Sequence, residues 1–253
     1  MINKFKIFLK IIKNVENWYL VPIVYFGLYK KNMFYLKIRN GLKISLRNKS
    51  TDIQAFVNVW INEEYKQSKS IRDNEVVIDI GAHIGLFTLY ISQMVRSKRI
   101  ICFEPIKENF ELLEKNITEN NIQNCDYYNL AVYSESKELK IFLNDMDGAA
   151  HSVFGKGKDF INIQSITLKD IFDNNNISNC SLLKLDCEGA EYEIINSFPK
   201  EYFTRIGKIV LEYHFSDKYP NELEKLKNNL RNFGFKLSEN IVDCGMGILL
   251  GTR

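Results

Sequence analysis

Proline is scarce in this 253-residue chain, with 4 in all, and no two cysteines form a C-x-x-C pair. With 13 glycines and a charged fraction of 26%, this composition excludes collagen-like and disordered chains. The five cysteines, Cys102, Cys125, Cys180, Cys187 and Cys244, are odd in number, which argues against both a disulfide framework and a zinc knuckle. They read as reduced thiols, mostly in the core. Also missing is any apolar run near the roughly 18 residues that a membrane-spanning helix needs. What is present is a globular composition, 45% apolar, enough for a proper buried core.

The net charge of +3 hides an asymmetry. Residues 1 to 50 hold eleven Lys or Arg against one acid, Glu16, a balance of +10, so the remaining 203 residues carry −7. A basic lobe beside an acidic one suits an anionic partner: a lipid surface, an acidic or lipid-linked glycan carrier, or nucleic acid. The plainer alternative is a solvated basic face. The opening segment MINKFKIFLKIIKN is not a signal peptide by this reading, because Lys10 and Lys13 interrupt the apolar run and no small-residue cleavage site follows. The expected location is cytoplasmic, with membrane periphery left open.

Ile7, Phe8, Ile11, Ile12 and Val15 recur at helical spacing and predict an amphipathic first helix. The following segment NWYLVPIVYFGLY is too short to cross a bilayer and is broken by Pro22; it fits burial or an interfacial position. Residues 34 to 46 alternate apolar and polar around Asn40-Gly41, which predicts a hairpin with a two-residue type I′ turn.

From Glu75 the pattern becomes short apolar strands alternating with helices, the mark of a parallel sheet covered on both faces. Strands are predicted at 76–80, 99–103, 125–130, 182–186 and 208–213, and helices at 84–95, 107–120, 188–197 and 220–233. FKLSE and GMGILLG add two further strands joined by a short loop. The fold class is therefore α/β, a Rossmann-like seven-stranded sheet, mostly parallel, with an N-terminal helix and β-hairpin extension. The expected division is an extension over 1–70 and a main domain over 71–253, with an insertion at 132–180 containing a strand pair and a Gly-containing loop.

Chemistry concentrates in three places. EVVIDIGAHIGLFTLY runs a buried strand into Asp79, Gly81 and Gly85 and then a helix. Glycines in such a turn admit close backbone approach, and the helix N-terminus offers free N–H groups. The G-x-x-x-G spacing and the acid before it argue against a dinucleotide and suit a cationic ligand such as S-adenosylmethionine, whose amino group and sulfonium are positive. Glu104 ends the second strand, where a carboxylate accepts ribose hydroxyls. The alternative is that Asp79 caps a turn and Glu104 is a solvated strand-end acid. The third place, SLLKLDCEGAEYEII, sets Asp186 and Glu188 at a strand end, and LEYHF sets Glu212, Tyr213 and His214 at the same rim. Glu191, opening a helix, is explained by the helix dipole.

DIGAHIGLFTL, FEPIKENFELLEKN, NLAV, LLKLDCEGAEYEII and LEYH, in this order, resemble the FkbM family of S-adenosylmethionine-dependent methyltransferases over roughly residues 50 to 215. The resemblance implies the Rossmann-like methyltransferase fold, S-adenosylmethionine as donor, and O-methylation of a hydroxyl on a sugar, glycan or related metabolite. It implies that Asp79, Gly81 and Gly85 cradle the methionine end, that Glu104 holds the ribose, and that Asn129 to Ala131 lie along the adenine. Ala82, His83, Thr88 and Pro105 complete the cofactor set; His83 departs from the Asn more usual there. The candidate bases are His214 and Asp186, with Glu188 holding the acceptor or the donor's amino group. Asp186 and Glu212 offer ligands for a divalent ion, to which the sequence does not commit. His151 lies in a candidate lid loop. No base-gripping motif points to nucleic acid. A rival reading is a non-catalytic module of a glycan assembly complex that keeps the cofactor fold as a scaffold.

Overall fold

The computed structural model describes residues 4–66, 76–94, 99–142 and 160–253. Helix α1 (Lys4–Asn14) buries Ile11 and is followed by Val15, fully enclosed and bridged to Ile38. Helix α2 (Leu20–Tyr25) holds Pro22 within its first turn. The first N–H groups of a helix have no intrahelical partner, so Pro22 opens this helix instead of breaking it.

Strands β1 (Met33–Lys37) and β2 (Lys43–Arg47) pair antiparallel as the alternation predicts. The turn differs. Ile38 N–H donates to Leu42 O and Gly41 N–H to Ile38 O, so the loop has three residues, 39 to 41. Gly41 alone in this loop takes a positive φ, and Asn40 accepts from Leu42 N–H through its side chain. That is the three-residue hairpin geometry, in which one left-handed position suffices.

Helix α3 (Asp52–Phe56) runs on into a π-helical turn, Val57–Ile61. The main body follows: β3 (Val76–Ile80), α4 (Leu86–Ser92), β4 (Ile100–Phe103), α5 (Lys107–Glu119), β5 (Cys125–Tyr128), β6 (Ala131–Tyr133), β7 (Glu138–Phe142), β8 (Phe160–Thr167), α6 (Leu168–Asn174), β9 (Cys180–Asp186), α7 (Glu191–Ser197), β10 (Lys208–Tyr213), α8 (Pro220–Asn232), β11 (Lys236–Ile241) and β12 (Gly247–Thr252). Seven strands form one sheet in the order β5-β4-β3-β9-β10-β12-β11, with β12 antiparallel to both neighbours and β3, β4, β5, β9 and β10 parallel. The chain leaves β3 in one direction along the sheet and returns to its other side at β9. A crevice opens above the strand ends at such a switch point.

Successive strand residues feed opposite cores. Val77, Ile100, Leu182 and Val210 face one cluster, and their neighbours Ile78, Ile101, Leu183 and Leu211 face the other. The first cluster also contains Ile11, Phe34, Leu46 and Phe56, so the N-terminal extension packs into the same core as α4 and α5. Polar contacts fix that docking. Asn116 and Asn120 of α5 accept from Ser45 and Lys43 N–H and donate to the same residues' carbonyls, and Asp52 accepts from Arg47 N–H. The outer edge of β2 is thereby satisfied by side chains.

The insertion supplies the expected pair, β7 with β8, plus β6 in a small sheet ordered β6-β8-β7. Its Gly-containing loop and His151 lie outside the described residues. Two helices start later than predicted: α4 at Leu86 instead of residue 84, and α7 at Glu191 instead of residue 188. In both cases left-handed residues, His83 with Gly85 and Glu188 with Gly189, keep the chain out of the helix for longer. All five cysteines are free, with Cys102 and Cys180 buried and Cys244 exposed. Among the described residues no helix is long and apolar enough to cross a membrane.

Candidate functional site

Above the ends of β3, β4 and β9 lies an open crevice lined among others by Gly81, His83, Glu104, Pro105, Ala131, Asp186 and Glu188. Seven residues predicted from distant motifs thus meet in one place. Ile106, Leu130, Val132 and Ile141 add apolar wall. A crevice that is mostly apolar with a few convergent polar groups is the usual form of a small-molecule site.

The β3–α4 turn is tightly occupied by the protein itself. Gly81 and Ala82 N–H both donate to Phe103 O, and His83 N–H donates to Glu104 Oε2 at 2.8 Å. These amides have no free direction for a phosphate, which agrees with the exclusion of a dinucleotide. The glycines serve chain packing. A Cβ on Gly81 would sit 1.8 Å from Asp186 O, and one on Gly85 would sit 2.7 Å from Leu113 Cδ1. Gly81 thus lets the ends of β3 and β9 meet at the crevice floor, and Gly85, outside the lining, lets the turn meet α5.

Asp79, Thr88 and Asn129, predicted as cofactor contacts, lie beneath the lining. Asp79 is fully buried, accepts from Thr88 Oγ1 at 2.7 Å, and faces Lys184 Nζ at 3.1 Å. Lys184 also donates to Gly81 O at 2.7 Å and approaches Asp186 Oδ2 at 3.7 Å. Burial works against its charge, but Asp79 and Asp186 outweigh it and hold the ammonium firmly protonated. Asp79 therefore answers a protein cation and not a ligand's. The signal was available in the sequence as a lysine inside the otherwise apolar strand LLKLD. Asn129 donates to the Glu104 and Pro105 carbonyls and so braces the strand end. Ala82 and Gly85 are likewise outside the lining.

Glu104, 4% exposed, accepts from His83 N–H on one oxygen and from Ile106 N–H and Asn109 Nδ2 on the other. Burial pushes its carboxyl up to about 7, against the pull of those hydrogen bonds. Beside it, Asn109 is 3% exposed, and its Oδ1 has no hydrogen-bond partner. A buried orphan acceptor in a ligand crevice awaits a donor. The sequence reading passed over Asn109 because it lies on α5, five residues beyond the strand end.

His83 has a left-handed backbone, and burial lowers its pKa to about 4, so the ring is neutral. Its Nε2 accepts from Arg47 Nη2 at 3.2 Å, and Arg47 in turn grips buried Asp52. The extension thus reaches the crevice rim through this side chain.

At the far end, Asp186 and Glu188 line the crevice, and His214 sits just behind them, 7% exposed. Its Nδ1 is 3.2 Å from Glu191 Oε1; its Nε2 is 3.7 Å from Glu188 and 3.9 Å from both Asp186 and Glu212. Burial alone would lower its pKa, but the carboxylates, Glu191 first, raise it to about 10. In its charged form His214 is a counter-charge to the carboxylates around it, and Asp186 is the candidate base that lines the crevice. Glu191 does more than complement a dipole: it accepts from Cys187 and Gly189 N–H as well as facing His214. Asp186, Glu191 and His214 come within 4.8 Å of one another, close enough for a metal, yet Glu191 is committed to this turn. Burial followed by the Asp186 charge raises Glu64 to about 7 and Glu212 to about 9. Neither shift was visible in the sequence, since Glu64 arrives from the extension.

The methyltransferase FkbM domain pattern matches residues 79–237. Methyltransferase 1 of Beauveria bassiana is 22% identical over 162 residues, covering 55% of this chain; the chain spans 65% of that relative's length. The 31-O-demethyl-FK506 methyltransferase FkbM of Streptomyces tacrolimicus is 23% identical over 232 residues, covering 79% of this chain and 88% of the relative. A Clostridium thermocellum crystal structure described as an rRNA methylase superposes with a TM-score of 0.51 at 9% identity, covering 76% of this chain and 93% of its own, a likeness of fold alone. Since the domain pattern takes in most of the chain, including the strand ends that build the crevice, this protein belongs to the methyltransferase FkbM domain family.

Proposed function

We propose that the chain transfers a methyl group from S-adenosylmethionine to a hydroxyl of a sugar, glycan or related metabolite. The observation that carries the reading is that one crevice is lined by Glu104 and the orphan acceptor Asn109 Oδ1 beyond β4, on one side of β3, and by Asp186 and Glu188 beyond β9, on the other. S-adenosylmethionine has a matching order of groups, a vicinal diol and base followed by a cationic sulfonium and amino acid. When bound it supplies an electrophilic methyl carbon. Glu104 and Asn109 hold the hydroxyls, Ile106, Leu130 and Val132 enclose the flat base, and Glu188 holds the amino group. The direction toward oxygen is supported by the Streptomyces tacrolimicus relative, described as acting on a 31-O-demethyl compound.

The chain's own chemical task is to present the acceptor oxygen in line and take its proton. Asp186 suits that step. It lines the crevice, while the His214 imidazolium behind it offsets the charges of Glu188 and Glu191. Isothermal titration and turnover with labelled donor separate the roles. Glu104→Gln should bind S-adenosylmethionine about 10- to 100-fold more weakly, the value of a hydrogen bond to a charged group. Asp186→Asn should bind within severalfold of the parent but lose about 10²–10⁴ in turnover. Unchanged binding by Glu104→Gln would refute the cofactor placement; unchanged turnover by Asp186→Asn would refute the base. Mass spectrometry of glycan and metabolite pools incubated with labelled donor identifies the acceptor.

A further inference from the structure

The N-terminal extension combines two features that the methyl-transfer reading does not use. The first is exposed apolar surface. Eight of the thirteen large hydrophobic side chains that stand exposed among the described residues fall between Phe5 and Tyr35, although this stretch is a small part of the chain. They are arranged by local structure. Phe5 and Leu9, 63% and 49% exposed, are spaced i, i+4 and therefore share one face of α1. Tyr25, Phe26 and Leu28, 66 to 71% exposed, form the turn that ends α2. Gly27, at the tip of that turn, has a positive φ and nothing within 4 Å of where its Cβ would stand, so the turn projects into open space. Tyr19, 53% exposed, opens α2 at its other end.

The second feature is charge. Lys4, Lys6, Lys10 and Lys13 lie on α1, Lys30 and Lys31 follow the apolar turn, and Lys37 and Arg39 flank the hairpin loop; all are exposed, against the single acid Glu16. The remaining 203 residues of the chain are net negative. A basic helix with one exposed apolar stripe, followed in the chain by an aromatic turn and two lysines, matches the chemistry of a bilayer interface: apolar and aromatic groups enter the headgroup boundary while lysines meet anionic headgroups. No described helix can cross a membrane, so attachment would be to the surface.

We infer that the N-terminal extension docks on an anionic lipid bilayer through the exposed apolar and basic side chains of α1 and of the Tyr25–Leu28 turn. The charge complementarity selects this occupant. A second copy of the chain would bring two strongly basic faces together, whereas an anionic surface neutralises them.

The test is co-sedimentation of the full chain with large unilamellar vesicles of phosphatidylcholine alone or with 30% phosphatidylglycerol. The parent should pellet with the anionic vesicles at 0.1 M salt, at least tenfold less with the neutral ones, and several-fold less at 0.5 M salt. Tyr25→Ser/Phe26→Ser/Leu28→Ser should lose at least tenfold in binding to anionic vesicles, and so should Lys6→Glu/Lys13→Glu. Both variants alter exposed side chains only, and an unchanged melting temperature verifies their folding. Absence of vesicle binding, equal binding to neutral vesicles, or full binding by either variant overturns the inference. So does light scattering that finds a stable dimer which the triple variant dissolves, because the face would then belong to a second copy. The readout is independent of methyl transfer, so it stands or falls apart from the proposed activity.

Discussion

Replacing Lys184 with Met tests whether Asp79 belongs to the protein's interior or to its ligand. The lysine is 3% exposed and the aspartate 0%, with Nζ and Oδ1 3.1 Å apart. Met preserves the stem of the side chain and removes the charge. Asp79 is then left in the core without its counter-charge and with Thr88 as its remaining donor, a loss of about 3–5 kcal/mol for a broken buried pair. At about 2–4 °C per kcal/mol for a chain of this size, the melting temperature should fall by roughly 6–20 °C. Urea unfolding and thermal melts measure both quantities. The double variant Asp79→Asn/Lys184→Met removes both charges and should recover part of the loss, giving a coupling energy above about 1.5 kcal/mol. Additive effects, or a Lys184→Met loss under about 1 kcal/mol, would contradict the buried pair. A second readout addresses function. Well below its melting temperature, Asp79→Asn should bind S-adenosylmethionine within threefold of the parent. A folded Asp79→Asn protein with tenfold weaker binding would return Asp79 to the ligand.

Two further outcomes follow from the same geometry. His214 has its pKa raised from 6.5 to about 10, so its contribution to stability is complete below pH 6.5 and lost as pH rises through 10. Buried Glu212, raised to about 9, adds a decline over the same range, so denaturant unfolding from pH 6 to 10 should fall less steeply in His214→Gln than in the parent; parallel curves would refute the assignment. Gly85→Ala places a Cβ 2.7 Å from Leu113 Cδ1 at φ +85, which should cost about 1–3 kcal/mol in urea unfolding; a neutral effect would mean that the turn has another conformation.

The central strands β3, β4, β9 and β10 were legible in the sequence because each is an apolar run bounded by turns or helices, and buried parallel strands require that pattern. The closing antiparallel pair was read from two short segments joined by a loop, of which β12 is apolar and β11 is exposed. Glu104, Asp186 and Glu188 were legible as acids at strand ends, since the switch point brings such ends to one crevice. Asp79 was misread as a ligand contact because a strand-end acid looks the same whether its counter-charge is a ligand or Lys184, which approaches from the neighbouring strand β9. The protonation of His214 depends on Glu191, Glu188 and Asp186, all from outside β10, and no sequence spacing encodes their convergence. Asn40-Gly41 marked the hairpin correctly but not its loop length. The side chain of Asn40 can hold Leu42 N–H, and this favours a three-residue loop.

The amide ladder between β2 and α5 works like a vernier. Its rungs join Lys43 to Asn120 and Ser45 to Asn116, two residues apart on the strand and four apart on the helix. Two strand residues advance about 6.6 Å and four helix residues about 6.0 Å, so the scales drift by about 0.6 Å per rung and cannot stay in step for long. At Arg47 the ladder passes from α5 to Asp52, the same aspartate whose Arg47 partner touches His83. A slip of one rung would leave two asparagines and a buried aspartate without partners. The coincidence of the two scales thus sets where the extension stops along the body, and with it where His83 and its amide stand beside Glu104.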